Sequence, residues 1–264
     1  MSPGDLVPLS LNAGLVALSY VIAVLGSFVA LVAAARIRSI DGGGVNFGYV
    51  AIAAIALGGV GIWSMHFIGM QAQNFPFILK FDYLRTSISL IVAVVCSGMA
   101  MWFVARSTFS VINCAIGGLV AGIGVAGMHY IGVSAMEMPA YISWKFALVL
   151  LSVVIAVVAA SAALWLAFNV ESTQQRVIAA LLMGGAVCGM HYTGTAAGLV
   201  ICTTPAADPA GGLGGMSLPY MTFFLSAAVL LAMRWQLRRT SVQYRATVAA
   251  RMDALIKPVD KSAI

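Results

Sequence analysis

Seven long apolar runs, separated by short polar or Gly/Pro-rich breaks, make up most of the chain. They cover residues 11–34, 47–70, 86–105, 111–134, 145–168, 176–200 and 216–235. A bilayer core takes roughly 20 apolar residues of helix to cross, so each run predicts one membrane-spanning helix. The breaks carry turn chemistry: "RIRSIDGGG", "QNFPF", Arg106, "EMPAYISW", "NVESTQQR" and "TTPAADPAGGLGG". Gly42-Gly43-Gly44 is a turn and not a phosphate loop, because no Gly-Lys-Ser/Thr follows it.

The polar exceptions inside the runs are regular. The chain has 3 histidines, and they sit in the second, fourth and sixth runs, in "WSMHFIGM", "AGMHYIGV" and "CGMHYTGT". His66 and His129 are 63 positions apart, and His129 and His191 are 62 apart. One period holds two helices, one up and one down, so the copies share an orientation. The pattern predicts three parallel two-helix repeats. A glycine stands seven residues before each histidine (Gly59, Gly122, Gly184) and another three after it (Gly69, Gly132, Gly194). On a regular helix these positions share one face, and small residues let membrane helices approach closely. Helices 2, 4 and 6 are therefore expected to pack centrally, with their histidines in one shared layer.

Composition fits the membrane reading. Hydrophobic residues are 62% and charged residues 8% of the chain, against roughly a quarter charged in a soluble domain. The expected class is an all-α membrane protein. Of the 14 Lys and Arg residues, all but Lys80, Arg85 and Lys145 fall on the side that holds the C-terminus. Basic loops stay cytoplasmic, so the topology is N-out and C-in, with the histidine layer toward the outer face. The net charge of +6 then anchors the inner face to lipid, and no nucleic-acid partner is called for. Trp144 on the outer side and Trp102 and Trp235 on the inner side read as interfacial belts. Residues 1–236 form the expected seven-helix domain and 237–264 a short basic cytoplasmic tail, too short for a catalytic domain. The opening "MSPGDLVPLS" has no basic residue, so the first run is read as retained and not as a leader. The 4 cysteines are scattered and suggest no disulfide framework.

Intramembrane ionisable residues are functional candidates, and imidazole is the commonest protein metal ligand. Three histidines in register, each preceded by Met65, Met128 or Met190, point to a metal site. Thioether sulfur favours Cu(I), so copper ranks first, zinc on three histidines second and heme with two axial histidines third. Adjacent residues differ by about 100° on a helix, so the histidines form the inner ring and methionines from neighbouring helices complete or flank it. Met70, four residues after His66, joins the paired methionines as a candidate. Cys188, on the His191 face, reads first as a small apolar residue.

The three spaced copies of this motif, with "MHYT" itself at 190–193, resemble the MHYT family of bacterial integral membrane sensors. The resemblance covers about residues 10–236. It implies an inner-membrane sensory domain that binds copper near the outer face and senses O2, CO or NO. Family members are often fused to output domains; this sequence resembles the sensory part alone, which implies a separate cytoplasmic or membrane signalling partner. The family's tyrosine is Phe67 in the first copy and Tyr130 and Tyr192 in the others; its threonine survives only as Thr193. Two other functions compete: a zinc-dependent intramembrane hydrolase, and copper transport or handling. None of the 8 acidic residues lies inside a run, and Glu137 is the one candidate base for the hydrolase. A conduit needs ligands at several depths, and the histidines occupy one.

Overall fold

The structure is a computed structural model that describes residues 2–38, 44–107, 110–203, 213–214, 222, 224, 226–239, 249 and 252. Six helices are long and apolar enough to cross a membrane: α1 (Ala13–Ala34), α2 (Phe47–Gln71), α3 (Tyr83–Ala105), α4 (Val111–Ser134), α5 (Phe146–Asn169) and α6 (Thr173–Ala196). The protein is thus a multi-pass membrane protein. A further helix, α7, covers residues 226–239. It overlaps the predicted seventh run, 216–235, whose first part is largely outside the described residues. It also continues past the expected boundary at residue 236, while nearly all of the tail beyond 239 lies outside them.

Side-chain caps set most of the helix starts. Asn12, Asn46, Asp82, Ser110 and Ser172 each accept a backbone N–H from the first turn. Such caps satisfy donors that the helix itself leaves open. Ser172 and Gln175 form a reciprocal capping box. Asp82 and Ser172 are why α3 and α6 begin three residues ahead of their apolar runs.

The sixth run stays apolar to residue 200, but its helix ends at Ala196. The remainder turns into a strand, Gly198–Cys202, which pairs antiparallel with Ala140–Trp144. With β1 (Lys80–Phe81), β2 (Met136–Glu137), β3 (Ala140–Trp144), β4 (Gly198–Cys202) and β5 (Leu213–Gly214), there are two small sheets, β2-β1-β5 and β3-β4. The all-α expectation therefore needs this addition. Short apolar runs do not distinguish strand from helix end by periodicity.

Consecutive helices pack side by side from α1 to α6, and α6 returns against α1. Helix α7 lies on α1 and α2. Leu230 packs with Ile22, Val60 and Ile68, and Ser226 Oγ donates to Ser64 Oγ at 2.7 Å. Its buried residues, Ser226, Leu230, Met233 and Leu237, form one helical stripe. Helix α2 is enclosed by these neighbours and is irregular. Residues Ile55–Ser64 are π-helical, between α-helical Phe47–Ala54 and Met65–Gln71. A Cβ on Gly58 would collide with the backbone of Ala93, and one on Gly26 with that of Gly61. Glycine is needed there for α2 to touch both α3 and α1.

Candidate metal centre

Each histidine stands six residues before the alanine that follows its helix. Those alanines, Ala72, Ala135 and Ala197, each accept a backbone hydrogen bond from the residue that caps the preceding helix. Asn12 donates to Ala72 at 2.7 Å, Asp82 to Ala135 at 2.8 Å and Lys145 to Ala197 at 2.8 Å. The three helix pairs α1–α2, α3–α4 and α5–α6 are fastened by the same bond, which holds the three histidines at one height.

The three rings meet. His66, His129 and His191 are 0%, 0% and 1% exposed. Ring centroids are 5.0 Å apart for His66–His129 and for His66–His191, and 5.2 Å for His129–His191, all edge to face. One ring nitrogen from each lies within 4.8 Å of the others. His66 Nδ1 and His191 Nδ1 are 3.1 Å apart. The opposite nitrogens are lodged in a cyclic pattern: His66 Nε2 against Gly132, His129 Nε2 against Gly194 and His191 Nε2 against Gly69. A Cβ on Gly194 or Gly69 would come within 2.5 Å of that nitrogen, and on Gly132 it would also collide. The glycine three residues after each histidine is therefore the socket for the ring from another copy.

The glycines seven residues before the histidines do something else, which corrects the expected single seam. Gly122 packs against the backbone of Val157 on α5, Gly184 against Val24 on α1, and Gly59 faces Val94 and Leu90 on α3. At that depth the three helices part around a void. Residues four before each histidine, Ile62, Val125 and Val187, line an apolar cavity of about 60 Å³ together with Met101, Met183 and Met190. Among the described residues, Ser97 is the single polar side chain in its lining.

The four candidate methionines are all buried, in three clusters. Met65 packs with Ala23 and Cys188, and Met190 with Ala126 and Ala156. Met128 and Met70 share a cluster with Trp63 and Phe67. Met70 Sδ also accepts from Gln73 Nε2 at 3.5 Å. Glu137 sits in β2 opposite Lys80 and is outside the histidine cluster. All 4 cysteines are free thiols.

Three serines went unnoticed in the sequence. Ser19, Ser89 and Ser152 stand seven residues after the caps of α1, α3 and α5, and each is fully buried. Each donates to the carbonyl three residues back, Val16, Thr86 and Val149, at 2.7 Å. That leaves each Oγ as an acceptor. Tyr192 O–H meets Ser19 at 3.0 Å, and Tyr130 O–H meets Ser152 at 2.6 Å. In the first copy Phe67 has no hydroxyl, and Trp63 Nε1–H donates to Ser89 at 3.0 Å instead. A buried serine thus receives an aromatic donor from each even-numbered helix: Trp63 ties α2 to α3, Tyr130 ties α4 to α5, and Tyr192 ties α6 back to α1. The signal in the sequence was a serine at a constant distance from each cap.

The centre suits a metal ion. Imidazole nitrogens bind zinc at about 2.0–2.1 Å, which puts two of them roughly 3–3.5 Å apart around one ion. Of the ring nitrogens not lodged in a glycine socket, His129 Nδ1 is buried without a hydrogen-bond partner. Buried polar atoms of that kind are costly unless something satisfies them.

The family described as "Bacterial signalling protein N terminal repeat", MHYT, matches residues 59–117 and 122–180. The chain belongs to the MHYT family. The matched intervals hold His66 and His129; the copy around His191 lies beyond them and is joined to them by the geometry. The chain is 41% identical over 193 residues to the bifunctional diguanylate cyclase/cyclic di-GMP phosphodiesterase MucR of Pseudomonas aeruginosa, covering 71% of this chain and 28% of that protein. It is 31% identical over 258 residues to the cyclic di-GMP phosphodiesterase NbdA of the same organism, covering 93% of this chain and 32% of that one. It is 28% identical over 194 residues to the signaling protein YkoW of Bacillus subtilis, covering 69% and 23%. The MHYT chain therefore spans about a third or less of the relatives it matches. No solved structure matches it.

Proposed function

We propose that this MHYT protein is a bacterial inner-membrane sensor in which His66, His129 and His191 bind one metal ion, with copper first in rank. The carrying observation is the contact of three buried imidazole rings whose nitrogens lie within 4.8 Å of one another. Copper exceeds zinc in general affinity for nitrogen sites. Met65, Met128, Met190 and Met70 belong to the proposal as flanking sulfur. We read the topology as N-out and C-in, with three parallel two-helix repeats and helices 2, 4 and 6 at the centre. The metal then lies toward the periplasmic side.

A bound copper ion would supply an open coordination position for O2, CO or NO. The apolar cavity one helical turn away supports a small uncharged ligand. A void walled by aliphatic and thioether groups gives water almost no partners. A change in packing at the triad would reach the C-terminal end through α7, which touches α2 at Ser64, two residues before His66. Output passes to a cytoplasmic or membrane signalling partner; two of the relatives are named as cyclic di-GMP enzymes, which points to that class of signal.

Elemental analysis of the detergent-purified protein tests the reading. The expected result is one copper per chain, lost in each of His66→Ala, His129→Ala and His191→Ala. Wild-type protein that stays metal-free after Cu(I) loading would overturn it.

A further inference from the structure

Between α1 and α7 runs a groove with a volume of about 490 Å³, distinct from the metal centre. Its walls are apolar, among them Leu25 and Val32 of α1 and Leu231 of α7. Arg36, Arg234 and Arg238 line its other end, and among the described residues no acidic side chain lines it. Leu25 and Leu231 are 45% and 67% exposed, so the apolar part opens toward lipid. The two helices run the same way: Ile22 packs near Leu230, and Arg36 Nη1 donates to the Leu237 carbonyl at 3.1 Å.

The dimensions identify the occupant. From Leu25 to Arg36 a helix rises about 16 Å, and one leaflet of the hydrocarbon core is about 15 Å thick. The groove therefore crosses one leaflet and ends in arginines where headgroups lie. An uncharged slot would take any acyl chain, but three guanidinium groups at its mouth select a phosphate that carries net negative charge. Guanidinium pairs phosphate oxygens in a fixed fork. Basic pockets between membrane helices at this level are suited to anionic headgroups.

The geometry points to a binding site for one anionic phospholipid, its acyl chain along Leu25, Val32 and Leu231 and its phosphate among Arg36, Arg234 and Arg238. This site does not depend on the metal. Because α7 also rests on α2 beside the triad, the lipid wedges the helix through which the proposed output leaves.

Native mass spectrometry of the full chain tests it, with phosphatidylglycerol and phosphatidylcholine of identical acyl chains as probes. The wild type is expected to retain phosphatidylglycerol over phosphatidylcholine by on the order of tenfold, as three arginines near a headgroup allow. Arg36→Gln/Arg234→Gln/Arg238→Gln together should abolish the preference, while Arg106→Gln/Arg176→Gln, outside the groove, should keep it. Leu231→Trp leaves the charges and fills the apolar wall, and should lower retention of both lipids. No preference in the wild type, an unchanged preference in the triple variant, or displacement of the lipid by soluble glycerol phosphate would each overturn the proposal. Metal content, measured on the same samples, separates this outcome from any failure of the metal reading.

Discussion

The first and second copies of the motif place their histidines alike but hold them differently. In the second copy Tyr130 gives its hydroxyl to Ser152. In the first copy Phe67 gives nothing, and Ser89 is reached instead by Trp63 from one turn earlier. Trp63 belongs to the π-helical stretch that only the first of these helices contains. The comparison teaches that the serine acceptor is the constant of the repeat and the donor is exchangeable. What must not change is the position of the ring, since each ring fills a socket on another helix.

The ring sockets should give the largest effect. Gly132→Ala puts a methyl group where His66 Nε2 lies. The variant is expected to lose at least tenfold in bound metal and about 1–3 kcal/mol of stability by overpacking. Gly127→Ala on the same helix meets nothing within 4 Å and should keep both. Equal behaviour of the two, by elemental analysis and thermal unfolding, would remove the socket from the argument.

Next comes an exchange between the copies. Phe67→Tyr adds a hydroxyl whose natural acceptor, Ser89, is already engaged by Trp63. A buried polar group without a partner costs about 1–3 kcal/mol. Trp63→Phe frees the acceptor, so the double variant should recover part of the loss beyond additivity. A coupling energy near zero in that cycle would mean the two donors do not compete. Ser152→Ala should cost about 1 kcal/mol by orphaning Tyr130, and Ser89→Ala less, because Trp63 Nε1–H keeps the Thr86 carbonyl at 3.3 Å as an acceptor.

The smallest effect is expected from the methionines. Met65→Leu nearly conserves volume and should cost under about 1.5 kcal/mol, with bound copper reduced by only a few-fold. Complete loss of copper in this variant would promote Met65 from flanking residue to ligand.

Much of this was readable from the residues. Run lengths located six helices within a few residues, because hydropathy is a direct record of lipid contact. The histidines were visible because ionisable residues in such runs are rare. The cyclic contacts were not visible: helix phase says which way Gly132 faces but not that His66 comes to meet it. The two glycine sets looked equivalent because the ten residues of helix between them change direction by a net of only about 80°. That turn is enough to separate the cavity side from the side that packs on α3, α5 or α1. The π-helical stretch leaves no mark in composition. The strand at Gly198–Cys202 was hidden by an apolar pattern that equally continues a helix.

The ring of sockets sets a rule for copy number. Open arrays of repeats tolerate gain or loss of a unit, since each touches only its neighbours and the ends are capped. Here His66 needs Gly132, His129 needs Gly194 and His191 needs Gly69, so the last copy closes on the first. A circuit of three has no terminal member to trim and no seam at which a fourth enters. Duplication can lengthen a sequence, but this geometry leaves a fourth copy without a socket.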